Sequence, residues 1–193
     1  MSEKPYNPFD DPLRNSPEGQ KEHDYDATEV SSVDFNFELS PEAQENKKRF
    51  LESLTGNEKW LDLGSGLGTG MVKELIKKKK INPQNLISID LDIKNLKYQQ
   101  KRKNTGLKIN ADAAAIPLED ESIDVLVTHW MMTDNDINKS IKKDDIAMEI
   151  SRVVRDGGYL ITSSYDELYD KVAGEVFKLE FEIGNLRFYK KTN

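Results

Sequence analysis

The chain has 193 residues, with 28 Lys and Arg against 35 Asp and Glu, two histidines and no cysteine. That length admits one domain with an appendage rather than two full cores. The missing cysteine excludes a disulfide framework, a thiolate zinc site and a thiol nucleophile. No stretch of about 18 apolar residues occurs, and the opening Met-Ser-Glu-Lys-Pro lacks the apolar segment of a signal peptide, so the expectation is a cytoplasmic protein with no membrane partner.

The net charge of −7 is unevenly placed. Residues 1–40 hold ten acids against Lys4, Arg14 and Lys21, which leaves residues 41–193 with 25 acids and 25 bases. Pro5, Pro8, Pro12 and Pro17 interrupt the same stretch, and it has no sustained apolar period. Residues 1–39 therefore read as an acidic, mobile arm, and residues 40–193 as the domain. The arm is either a solvated tail or a flap over a ligand cleft, anchored by Tyr25, Val30, Val33, Phe35 and Phe37.

Along the domain, Ser40 is placed to cap a helix, with Pro41 in its first turn and Phe50, Leu51 and Leu54 on its apolar face until Gly56. Trp60 to Leu63 reads as a short strand running into Gly64-Ser-Gly66-Leu-Gly68-Thr-Gly70. A helix follows, with Met71, Val72, Leu75 and Ile76 on one face, and its end at Lys77 to Lys80 reads as a solvated, dipole-matched terminus. Leu86 to Asp90 is a second strand and Ile93 to Lys103 a polar helix. Leu107 to Ile109 is a short third strand, followed by Asn110-Ala111-Asp112-Ala113. Ile123 to Thr128 is a buried strand. Residues 144–155 form a helix, and Asp156-Gly157-Gly158 turns the chain into strand Tyr159 to Thr162. Glu167 to Val172 reads as a short helix. Alternation from Val176 to Ile183, the pair Gly184-Asn185 and Leu186 to Tyr189 spell a closing hairpin. Strands alternating with helices predict an α/β fold with a doubly wound, mostly parallel sheet and an antiparallel C-terminal hairpin. In such sheets ligands bind beyond the carboxyl ends of the strands, where Asp62, Gly64 to Gly68, Asp90, Asp112 and His129 all fall.

The glycines sit at every second position after a strand. That spacing does not fit the dinucleotide fingerprint, since Thr69, Met71 and Lys73 stand where its third glycine would be, and no Gly-Lys-Ser/Thr of a P-loop is present. Asp62 also argues against a polyphosphate.

Asp62-Leu-Gly64-Ser-Gly66-Leu-Gly68 resembles motif I of the class I S-adenosylmethionine-dependent methyltransferases, and the resemblance continues in order over about residues 45–190. Asp90 stands where that family binds the ribose hydroxyls, and Ala111-Asp112-Ala113 with Ile116-Pro117 where an acid meets the adenine amine. Ile123 to Val127 is similar to the fourth strand. Glu149-Ile-Ser-Arg152-Val-Val-Arg155-Asp-Gly157-Gly158 is similar to the turn before strand five, with Asp156 in place of the usual proline. The resemblance implies a seven-stranded Rossmann-like domain with S-adenosyl-L-methionine as cofactor. It implies cofactor-binding roles for Asp62, Gly64, Ser65, Gly66, Gly68, Asp90, Leu91, Asp112, Ala113 and Thr128.

The chemistry agrees, because this ligand carries a sulfonium, an ammonium, ribose hydroxyls and an amine, and no phosphate. Three acids and no base suit it. Taken singly, each acid is equally a turn or capping carboxylate. Methyl transfer needs in-line orientation and dryness, and a general base only when the acceptor loses a proton. His129, just past the fourth strand, is the domain's one histidine and the candidate base, or else a rim histidine that packs on a ligand. Trp130, Met131 and Met132 read as an apolar wall, with Asp134, Asp136 and Tyr165 weaker candidates.

The Asn/Asp-Pro-Pro-Tyr/Phe motif of amino-nitrogen methylation is absent; the stretch reads Thr128-His-Trp-Met. Cytosine C5 methylation is impossible without cysteine. The neutral domain gives no strong nucleic-acid signal, and Lys94, Lys97, Lys101, Arg102 and Lys103 read as a solvated face. A small-molecule acceptor is preferred, a protein side chain second. A non-catalytic binding module of the same fold is the alternative to an enzyme.

Overall fold

The computed structural model describes residues 39–66, 68, 70–101, 106–128, 142–163 and 176–192. Helix α1 (Pro41–Ser53) begins where Ser40 accepts the Ala43 N–H at 3.2 Å, with Pro41 in the first turn, where a missing N–H costs nothing. Strand β1 (Trp60–Leu63) leads through the glycine loop into α2 (Gly70–Lys77). Then follow β2 (Leu86–Asp90), α3 (Ile93–Lys101), β3 (Leu107–Asn110), β4 (Ile123–Thr128) and α4 (Lys142–Val153). Strand β5 (Val154–Ser163) and the hairpin β6 (Phe177–Ile183) and β7 (Leu186–Lys191) complete the sheet.

The seven strands are ordered β3-β2-β1-β4-β5-β7-β6; the first five are parallel, and β7 pairs antiparallel with both neighbours. The expected architecture is therefore the observed one. Because successive strand residues face opposite ways, the sheet feeds two cores. Leu61, Leu63, Ile89 and Leu126 pack with Ile146, Ile150 and Val153 of α4 on one face. Trp60, Val125, Val127 and Phe188 pack with Phe50 of α1 and Met71, Val72 and Leu75 of α2 on the other. The Phe50 ring meets Trp60, Tyr159, Phe181 and Phe188 at centroid distances of 4.9 to 6.5 Å. After β1 the chain builds outward to β3, then returns to lay β4 on the other side. The switch point between β1 and β4 opens a crevice at the carboxyl ends of both.

Four local expectations change. Asp156-Gly157-Gly158 is not a turn between helix and strand but a bulge inside β5, whose pairing jumps from Ile123↔Val154 to Val125↔Tyr159. Gly157 sits at φ +71°, and a Cβ on Gly158 would lie 2.8 Å from the Arg155 carbonyl oxygen, so the glycine pair is required by the bulge. Strand β7 runs on to Lys191 rather than ending at Tyr189. Leu179 is 51% exposed despite its place in an alternating run, because the register shifts between Leu179 and Phe181. The lysines ending α2 are not all solvated either: Lys80 Nζ donates to the Leu51 carbonyl at 3.0 Å and ties α2 to α1. The arm to Glu38 and the expected helix at residues 167–172 lie outside the described residues.

Candidate cofactor site

Gly64, Gly66 and Gly68 have φ of +65°, +50° and +97°, left-handed values that residues with a Cβ rarely adopt. This is why the chain can leave β1, turn back on itself and enter α2 within seven residues. Two backbone bonds hold the turn, Ser65 N–H to the Ile89 carbonyl at 3.1 Å and Gly68 N–H to the Ser65 carbonyl at 2.6 Å.

Asp90, at the end of β2, is 8% exposed. Its Oδ2 accepts the Gly66 N–H at 2.7 Å; its Oδ1 accepts the Asp92 N–H at 2.8 Å and the Asn95 amide at 3.2 Å. Burial pushes the Asp90 carboxyl up from its ordinary value, against three hydrogen bonds that favour the anion. A carboxylate offers about four acceptor positions, so one remains for a ligand, and a second opens if the longest bond, from Asn95, gives way. Next to it Leu91 is 53% exposed, an apolar surface beside a polar grip. The Asn110 amide fixes that segment by donating to the Asp90 and Leu91 carbonyls at 2.9 and 2.8 Å.

Asp112 follows β3, where its Oδ1 accepts the Ala114 N–H at 3.0 Å and closes its own turn, with Ala113 partly buried inside it. Asp62 lies within β1 and is 1% exposed. Thr128 ends β4, wholly buried, and its Oγ1 has no hydrogen-bond partner among the described residues. A buried orphan hydroxyl is costly unless a ligand group meets it. Asp62, the glycine loop, Asp90, Leu91, Asp112, Ala113 and Thr128 thus share one rim of the sheet. His129, Trp130, Met131, Met132, Asp134, Asp136 and Tyr165 lie outside the described residues.

Three contributors were not anticipated. Gln99 of α3 is fully buried, and its amide donates to Ser65 Oγ and to the Gly66 carbonyl, both at 2.8 Å. Asn95, one helical turn earlier, reaches Asp90. Lys108, in β3, donates to Ser88 Oγ at 2.9 Å beneath the loop, so the rim does hold a base. Read from the sequence, α3 is a polar surface helix. Its 3.6-residue period nevertheless puts Asn95 and Gln99 on the face turned to the loop, a signal available in principle.

The donor set fits S-adenosylmethionine. Carboxylates stand where hydroxyls and cations need acceptors, and the Gly66 N–H that would greet a phosphate is already taken by Asp90.

This arrangement defines a Rossmann-like methyltransferase domain. A family profile described as "Methyltransferase domain" matches residues 61–162, and the chain belongs to that family. It is an S-adenosylmethionine-dependent methyltransferase. No curated protein matches it by sequence. Its fold is similar to that of a SAM-dependent methyltransferase from Aquifex aeolicus (TM-score 0.63, 16% identity, covering 90% of this chain and 98% of that one). A Methanococcus maripaludis protein described as a candidate enzyme of the same kind is also similar (TM-score 0.61, 16% identity, 100% and 98% covered). So is a chain from the Haloferax volcanii complex of the Trm112 methyltransferase activator with its methyltransferase candidate (TM-score 0.56, 13% identity, 78% and 90% covered). At these identities the likeness speaks for the fold alone.

Proposed function

We propose that the protein transfers a methyl group to a small molecule, holding the cofactor along the rim just described. Asp90 grips the ribose hydroxyls, Leu91 lies under the adenine, Asp112 accepts from its amine, and Asp62 favours the cationic methionine end. Gly64, Ser65, Gly66 and Gly68 let the backbone approach, and the Thr128 hydroxyl meets a polar group of the ligand. The observation that carries this reading is Asp90, a buried carboxylate met among the described residues by three N–H donors, which leave one acceptor position open.

When bound, S-adenosylmethionine supplies an electrophilic methyl on a good leaving group. The chain's share is to orient that group and exclude water, which accounts for much of the rate in a direct displacement. His129, the one histidine of residues 40–193, is the candidate base for an acceptor that must lose a proton. A neutral domain of this size supports a small acceptor. A protein acceptor comes second; the Haloferax volcanii neighbour, found with an activator protein, makes protein partners worth testing.

Calorimetric titration with S-adenosylmethionine and S-adenosylhomocysteine, with NAD as control, tests the site. Micromolar binding of the adenosyl ligands alone is expected, and a folded protein that binds neither would overturn the assignment. A labelled-methyl screen over small molecules and proteins then identifies the acceptor. His129→Ala should abolish turnover while leaving cofactor affinity intact; full activity would remove the general base.

A further inference from the structure

Beneath the glycine loop lies a polar row that the grip on ribose and adenine does not require. Asp62, Ser88 and Lys108 occupy one register line across three strands: Asp62 pairs with Ser88, and Ser88 with Lys108. Register partners in parallel strands share a face, and neighbouring strands are about 4.8 Å apart. Asp62 and Ser88 are 1% and 0% exposed, and Lys108, partly buried, places Nζ 2.9 Å from Ser88 Oγ. The ammonium therefore sits over β2, one strand from a carboxylate withdrawn from water. A carboxylate buried without a countercharge gives up its charge rather than bear the desolvation cost. A cation one strand away removes that pressure. Burial lowers the Lys108 pKa and the Asp62 charge raises it, as expected of an interacting pair.

A lysine here is at first sight the wrong residue, since the ligand reaching Asp62 is itself cationic. The row resolves the conflict. Lys108 is held by Ser88 in the sheet below the loop, while Asp62 stands in the next strand, between that ammonium and the ligand. The cation that keeps the carboxylate charged is thus set apart from the cation that the carboxylate attracts.

We propose that Lys108 is a positioning residue for the cofactor: held on Ser88, it is the buried countercharge that keeps Asp62 anionic in the ligand-free protein and so sets the preference for the cationic donor over its uncharged-sulfur product. This rests on Asp62 facing the methionine end, as proposed above.

The test is titration of the full chain with S-adenosylmethionine and S-adenosylhomocysteine, which differ by one methyl and one positive charge. The proteins are wild type, Lys108→Met, Lys108→Arg, Asp62→Asn and the double variant Lys108→Met with Asp62→Asn. Lys108→Met should lower the preference for the charged ligand by about tenfold, within the range of interacting neighbours, and Lys108→Arg should restore it. In the Asp62→Asn background the same change should have almost no effect on the ratio. A ratio that stays constant in Lys108→Met overturns the proposal. So does a ratio that moves toward the charged ligand, as loss of a merely repelling cation would give. Urea unfolding of the same proteins reads the pair without any ligand: Lys108→Met should cost wild type more stability than it costs Asp62→Asn. Equal costs would overturn the pairing even if neither ligand bound. Failure of both ligands to bind wild type would instead overturn the cofactor assignment, with the unfolding comparison still standing.

Discussion

Two carboxylates, Asp90 on the rim and Glu149 on α4, each hold a loop in place, by opposite means. Glu149 accepts from Arg152 Nε and Nη2, both at 2.8 Å, and from the Ile116 N–H at 2.6 Å. The same guanidinium donates to the Leu118 and Ile116 carbonyls and to Asp120, stitching the segment after β3 onto α4. Its hydrogen bond and charge hold Glu149 below the usual carboxylate range. Asp90 has neutral donors instead, and burial pushes it up from its ordinary value. One acid is closed, its charge answered within the fold. The other is met, among the described residues, by amide donors at a strand end and keeps an acceptor position that a ligand of hydroxyls and cations can use. Acids of similar appearance in a sequence are told apart by whether their partners are cations or amides.

The contrast can be broken from either side. The largest effect should come from Arg152→Met, which strands several acceptors at once: urea unfolding should show a loss of about 2–3 kcal/mol. Its dissociation constant for S-adenosylhomocysteine should stay within about threefold of wild type, since the clamp makes no grip on the ligand. Asp90→Ala should invert that pattern, weakening the adenosyl ligand by roughly 1–3 kcal/mol in calorimetry, and unchanged affinity would displace the ribose from Asp90. Gln99→Leu lies between the two. Removing the donor to Ser65 and Gly66 should cost about 1–2 kcal/mol of stability, with affinity falling as well because the loop loses its brace. The smallest effect is in acid. Since Glu149 is more acidic in the folded chain than its ordinary 4.5, its contribution is complete above that value and is lost as the pH falls through the folded one. Glu149→Gln should flatten this limb of the stability–pH curve by about 1 kcal/mol or less, because both partners keep contact with water.

The rim was legible because its residues are constrained by type as well as position. Glycine is the residue that best suits a loop with three left-handed positions, and an acid ending a buried strand has few other reasons to be there. The architecture was legible because strand and helix periods alternate cleanly. What did not show was anything that depends on how elements are rotated against each other. Gln99 lies 34 residues from Ser65, and the helical period that groups it with Asn95 does not say that their face meets the glycine loop. Lys108 sits in a four-residue strand, too short to display a face. Two glycines after a helix commonly make a turn, which is what the sequence predicts at Gly157 and Gly158. Only the jump in pairing between β4 and β5 places them inside a strand.

The aromatic cluster around Phe50 has a consequence for the birth of the molecule. It joins the first helix of the domain to Phe181 and Phe188, in the last hairpin of the chain. A ribosome delivers these partners about 130 residues apart, so the part of Phe50 that meets the hairpin waits uncovered until β6 and β7 are made. Folding of this domain is then a late, concerted event with a large entropic barrier. A polypeptide stalled before β6 would expose Phe50 and invite a chaperone long before the glycine loop could meet a nucleoside.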